Sequence, residues 1–179
     1  MKWRGTKAGL KDALRRLPAV LAGREPDPMG LGRVFWGFVG NAVLRLIRSA
    51  FKEKMSGRTG SDGIKWAKLA AATLAIRQRN GRTDRDILFE TGALLASLEP
   101  GADHEPSGAL FQVFRFEPGA IVVGTTEPKA DWHQNGTEFM PRRPVVTEHI
   151  PTAWEPAVER AMEKGMKAVI ELVVANGGM

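Results

Sequence analysis

A chain of 179 residues, 43% of them hydrophobic, is long enough to bury one ordinary core, and its length argues for one domain with an appended arm. With no cysteine, the composition excludes disulfides, zinc-thiolate sites and thiol catalysis. The net charge of +6 is unevenly placed: residues 1–58 hold 13 Lys/Arg against four acids (Asp12, Glu25, Asp27, Glu53), or +9, which leaves −3 for residues 59–179. Such asymmetry suits an arm that meets nucleic acid, an acidic protein surface or anionic lipid, and it equally suits helices with ordinary solvated faces. The basic start carries no secretory pattern, and no stretch nears the ~18 unbroken apolar residues of a bilayer span, so a soluble chain without a membrane partner is expected.

In chain order, leucines at 10, 14, 17 and 21 form one stripe and predict an amphipathic helix over 6–22, which Pro18 should kink or end early. Gly23 to Pro28 is a breaker cluster, in which Asp27-Pro28 offers an N-cap and a first-turn proline. From Met29 to Met55 apolar residues recur every three to four positions, with Arg33, Asn41, Arg45, Arg48 and Lys52 off that stripe. At ~1.5 Å per residue this helix spans roughly 40 Å, long enough to project from the body or pack on a neighbouring subunit. The Ser56–Gly63 loop then separates a basic arm, 1–58, from a domain over 59–179.

A helix over 65–79 is predicted to stop at Asn80-Gly81, and Ala93–Leu98 offers the start of a strand. Leu110–Phe116 alternates, Ala120–Gly124 is β-branched, and Glu117-Pro118-Gly119 turns between them, which predicts a hairpin. Val145-Val146 suggests a further short strand. Thr152–Glu155 matches a capping box before a helix over 153–174. The class expected is α+β: a small, mainly antiparallel sheet covered by the 65–79 and 153–174 helices, with a long N-terminal helical arm.

Candidates for chemistry are few. His104, His133 and His149 show no metal-ligand spacing, no nucleophile elbow is present, and the carboxylate pairs Asp84/Asp86 and Glu159/Glu163 have the look of solvated faces. The glycine-rich 56–63 loop, with Lys65 after it, lacks the ending of a phosphate loop. No cofactor or metal is expected. More suggestive is Trp132-His133-Gln134-Asn135-Gly136, a tight turn followed by Pro141-Arg142-Arg143-Pro144. The prolines should present two guanidinium groups at low ordering cost, to clamp carboxylates or phosphates on a neighbouring subunit or on DNA.

Five fragments occur in order: Asp62-Gly63-x-x-Trp66-x-x-Leu69-x-x-x-Thr73; Leu88-x-x-Thr91-Gly92-x-Leu94-x-x-Ser97; Val122-Val123-Gly124; Ala130-x-x-His133-Gln134-x-Gly136; and Pro141-x-Arg143-Pro144. Over residues 60–150 this succession resembles the virion morphogenesis family of tailed phages, the Mu-like tail completion proteins. The resemblance implies a non-enzymatic virion component at the head–tail junction, completing the tail tube as a ring, commonly hexameric, and meeting tail-tube and connector proteins. It implies residence in the neck of the virion, after assembly in the host cytoplasm. Under it, Trp66, Thr91, Gly92, His133, Gln134, Gly136 and the Pro141–Pro144 segment shape the subunit or its contact with a neighbour. Residues 1–58 lie outside the match. For them the expectation is a face made of Arg33, Arg45, Arg48 and Lys52, turned toward genomic DNA or an acidic partner. Two other readings stand beside this one: a nucleic-acid-binding module using the basic arm, and a small hydrolase centred on His133.

Overall fold

A computed structural model describes residues 7–27, 29–81, 87 and 92–177, with the backbone alone for 7–13 and 177. The described elements are α1 (Lys7–Leu21), α2 (Leu31–Met55), α3 (Ala71–Arg79), α4 (Ala93–Ala96), β1 (Gln112–Glu117), β2 (Ala120–Thr125), α5 (Pro128–Asn135) and α6 (Glu155–Gly177). The fold is α+β. Its described sheet is a single antiparallel hairpin, with Phe114 opposite Val123 and Glu117 opposite Ala120.

α2 is the axis of the molecule. Its C-terminal half contributes Leu44, Ile47, Phe51 and Met55 to one apolar cluster, which also holds Trp66, Leu98, Val145 and Trp154. Its N-terminal half contributes Leu31, Phe35 and Val39 to a second cluster, closed by Leu17 and Leu21 of α1 and Val169 and Val173 of α6. By length and by a mean hydropathy of 1.2, α2 could cross a membrane, but half of that apolar window is buried inside the body. The expected projection of this helix is therefore corrected. Its apolar stripe is satisfied within the subunit, so residues 31–55 belong to the core.

Glycines let neighbours approach this axis. A Cβ at Gly40 would lie 2.8 Å from Ile121 and 3.0 Å from Phe114, so the hairpin rests directly on α2. The sheet is thus carried by α2, rather than covered by the 65–79 and 153–174 helices as the pattern suggested. Where α1 ends, Gly23 and Gly119 meet the opposite backbone, and the hairpin turn seats against the α1 terminus. Both have positive φ (69° and 70°), a conformation that L side chains rarely adopt.

Some local signals held with moved limits and others did not. Pro18 lies inside α1, which runs on to Leu21. Asp27 does satisfy first-turn donors of α2, accepting from Leu31 N at 2.8 Å and Gly32 N at 2.7 Å, but the helix begins at Leu31, after Gly30. The helix expected over 65–79 starts only at Ala71. Upstream, Thr59 bridges Lys65 and Asp62 Oδ1 accepts from Ile64 N, which keeps 64–70 out of helical geometry. The stretch 93–98 forms no strand: Ala93–Ala96 is the short helix α4, and Ser97 and Leu98 after it are buried. Val145-Val146 pairs with a side chain instead of a strand. The capping box at Thr152 is absent: the chain enters α6 through a 3-10 turn after Pro151, with no side-chain cap.

Candidate functional site

The stretch predicted as a tight turn is largely a helix. Glu127 caps α5 by accepting from Lys129 N at 2.8 Å, and Pro128 follows at its first position. Ala130 buries against the core, and the helix ends at Gly136, whose φ is 76°. A Cβ on Gly136 would come within 3.0–3.2 Å of Arg142 N, Met140 O and Arg142 Cα, so the returning chain can pass close by.

That return is held by Gln134. Its Oε1 accepts from both Val145 N (2.9 Å) and Val146 N (3.1 Å), while its Nε2 donates to Val146 O at 2.9 Å. One amide side chain thereby supplies the three hydrogen bonds that a neighbouring strand would have made. Arg143 N adds a bond to His133 O at 2.7 Å. The two fragments His133-Gln134-x-Gly136 and Pro141-x-Arg143-Pro144 are one folded unit.

The arginine pair divides its work, and the expectation that both guanidinium groups face outward is corrected. Arg143 is buried, donating to Ala67 O (3.2 Å) and Lys68 O (3.3 Å), and burial lowers its basicity. Arg142 is exposed and bonds Gln134 O and Glu148. Both donate within their own subunit.

Beneath this unit lies a buried ion pair. Lys54 Nζ bonds Asp62 Oδ2 at 2.5 Å, with both side chains sealed from solvent, and bonds Pro144 O at 2.9 Å. The ammonium also sits 5.1 Å from the centroid of the Trp66 ring, so its remaining face meets a π cloud. Trp66 Nε1 donates to the same Pro144 O at 3.0 Å, and its ring packs edge-on against Phe51. Desolvation pushes the Lys54 ammonium below the ordinary lysine range, with Asp62 opposing that shift. Lys54 was missed in the sequence, although it stands at a core phase of α2, three residues after Phe51 and seven after Ile47. Asn41, read as off the apolar stripe, is likewise fully buried. It donates to Asp103 O and Glu105 O (2.9 Å each) and accepts from Gly101 N at 2.7 Å.

His133 lines an open cleft of about 330 Å³ together with Arg77, Gly92, Glu127, Lys129 and Arg143. Gly92 precedes α4 with φ 76°; Thr91 and the Asp84/Asp86 pair lie outside the described residues. His133 Nδ1 is buried with no hydrogen-bond partner in the structure. Among the described residues no group of three His, Asp or Glu could hold a metal. Desolvation lowers the His133 pKa first, Arg143 lowers it further, and Glu127 opposes. The unfolded imidazole, titrating near 6.5, takes up a proton that the fold disfavours, so stability is untouched above that pH and falls as pH drops below it. His133→Gln should therefore lose less stability than the parent between about pH 7.5 and about pH 5.5 in urea titrations. Equal losses would remove His133 as a contributor.

The basic face along α2 is largely engaged within the fold. Arg33 approaches Glu105 at 3.4 Å and stands 5.2 Å from the Phe116 ring centroid; Arg45 donates to Gly101 O at 3.1 Å; Arg48 meets Glu99 at 2.6 Å. Lys52 is exposed. These cations fasten the 99–105 segment across α2. No known family model, curated protein or solved structure matches the chain.

Proposed function

We propose that this chain is a non-enzymatic structural component of a tailed-phage or prophage virion. It completes the tail and joins it to the head at the neck as a homo-oligomeric ring, most simply a hexamer, in contact with tail-tube and connector proteins. The observation that carries this reading is the convergence of the ordered sequence fragments. Trp66 from the first donates to Pro144 O of the last, 78 residues away, Asp62 of the first is tied to the same carbonyl through Lys54, and Gln134 of the fourth holds the chain that follows. Residues tied in this way set the shape of a subunit, and shape decides whether a head-to-tail contact closes into a ring.

Native mass spectrometry of the purified protein is the direct test. A closed ring gives one dominant species at a fixed multiple of the 19.6 kDa chain. A monomer at every concentration would sink the reading, and a monomer that shifts duplex DNA in a salt-dependent manner would replace it with a nucleic-acid-binding module. In the virion setting, the protein acts in the host cytoplasm during assembly and ends in the neck. Genomic DNA passes that point, and Lys52 is an exposed cation of the α2 face.

A further inference from the structure

The dipeptide Asn-Gly occurs three times in the chain, at 80–81, 135–136 and 176–177. It is the pair in which an asparagine is most readily lost without an enzyme, because glycine has no side chain to keep its amide nitrogen away from the asparagine carboxamide and lets the backbone between them turn. The fold treats the copies differently.

Asn135 is held. Its Nδ2 donates to Asp131 Oδ1 at 2.8 Å, and Gly136 N, the nitrogen that would attack, donates to Trp132 O at 2.8 Å. The returning chain hems in Gly136, where a Cβ would lie 3.0–3.2 Å from Arg142 N, Met140 O and Arg142 Cα. Moving this backbone means detaching the segment that Gln134 fastens, so its opening is tied to that of the folded unit around it. Asn176 lies in the last turn of α6, with its Nδ2 donating to Leu172 O at 2.8 Å. Asn80 is the opposite case. It is the C-cap of α3, its side chain is exposed, and none of the described residues bonds its carboxamide. Gly81 N donates to Gln78 O at 3.0 Å, yet no neighbour packs on that glycine: a Cβ there would meet nothing within 4 Å. α3 has no buried residue along its nine positions, and helices shorter than ~12–15 residues are marginal in water on their own, so its last turn opens at little cost.

We propose that Asn80 is a site of spontaneous deamidation and isomerisation, left reactive by the fold while Asn135 is protected. Solvent hydroxide takes the proton of the Gly81 amide, and that nitrogen attacks Asn80 Cγ. The N–Cγ bond forms, the Cγ–Nδ2 bond breaks, and ammonia leaves with a proton from water, which regenerates the hydroxide. Water then opens the cyclic imide at either carbonyl, giving aspartate or the isomer whose main chain runs through the side-chain carboxyl. Either product puts a carboxylate at the C-terminus of α3, where the helix end disfavours negative charge, beside Arg77 and Arg79 of the last turn. The isomer also lengthens the main chain by one carbon, so Gly81 N no longer closes onto Gln78 O in the same turn. Arg77 lines the His133 cleft, and the change therefore reaches one wall of it.

The experiment incubates the full-length protein at mildly alkaline pH, in native buffer and in concentrated urea, and follows the peptides that hold Asn80 and Asn135 by chromatography and mass spectrometry. In native buffer Asn80 should convert at least about tenfold faster than Asn135, because opening costs run from near zero in marginal elements to the full stability in the core. In urea the two rates should come together. Equal native rates, or a faster Asn135, would overturn the inference, and so would a ratio that persists in urea, since it would then belong to the flanking residues. Asn80→Gln, whose longer side chain closes the ring slowly, should remove the amide-to-carboxyl mass gain from its peptide. A gain that stays would belong to another amide, such as Gln78, and would overturn the assignment.

Discussion

Replacing Lys54 by methionine should lower stability by about 3–5 kcal/mol, because it leaves the Asp62 carboxylate buried without its cation. For a chain of this length each kcal/mol moves Tm by roughly 2–4 °C, so a fall of about 6–20 °C is expected. The loss has a specific remedy. Burial disfavours the Lys54 ammonium while Asp62 opposes that, and a buried ion pair is often matched by an uncharged packing of the same volume. Lys54→Met combined with Asp62→Asn should recover most of the stability, since an asparagine can still accept from Ile64 N as Asp62 Oδ1 does. Urea titration of the parent, the single and the double variant checks this. A single variant within about 1 kcal/mol of the parent would show that the pair is not sealed from water.

Gly37→Ala poses two effects against each other. Helix propensity alone favours alanine by about 1 kcal/mol at an interior position of α2. The new Cβ, however, would lie 2.2 Å from His104 O and 2.8 Å from His104 Cβ, a clash with backbone that only movement of the 101–105 segment relieves. That segment is held on α2 by three hydrogen bonds of the buried Asn41 amide, and disturbing them costs about 3 kcal/mol in buried polar groups left short of partners. The clash wins, and Tm should fall by about 4–8 °C for a net loss of about 2 kcal/mol. Asn41→Leu, which removes the same bonds without the clash, should fall by a similar amount. A rise in Tm for Gly37→Ala would mean that the loop is held too loosely to matter.

These two cases mark what was legible in the chain. Periodicity located α1, α2 and α6, and the Glu117–Ala120 turn between two β-rich runs located the hairpin, because those signals are written within about ten residues. Periodicity also misplaced Asn41 and passed over Lys54. A polar residue at a core phase is read as facing solvent unless its distant partners are known, and those partners are 60 to 64 residues away for Asn41 and 90 for Pro144 O at Lys54. The same limit applied at the site. Trp132–Pro144 stood out as unusual, yet its histidine invited a chemical reading and its arginines an outward one. Gln134, the residue that organises the unit, differs from an ordinary polar residue only through a backbone 11 and 12 residues further along.

What the amino-acid sequence determined by itself was α1, α2, α6 and the hairpin, the charge asymmetry, the absence of thiol chemistry and the ordered fragments behind the tail-completion proposal. The tertiary structure decided where α2 goes. It decided that 64–70 stays out of a helix to bring Trp66 under Pro144, that the Val145-Val146 segment pairs with a side chain, and that Arg33, Arg45 and Arg48 of α2 bond the 99–105 segment. The reason is physical. Helix and turn preferences are local and modest, about 1 kcal/mol or less per residue, whereas a buried polar group must find a partner wherever the chain can supply one or lose several times that.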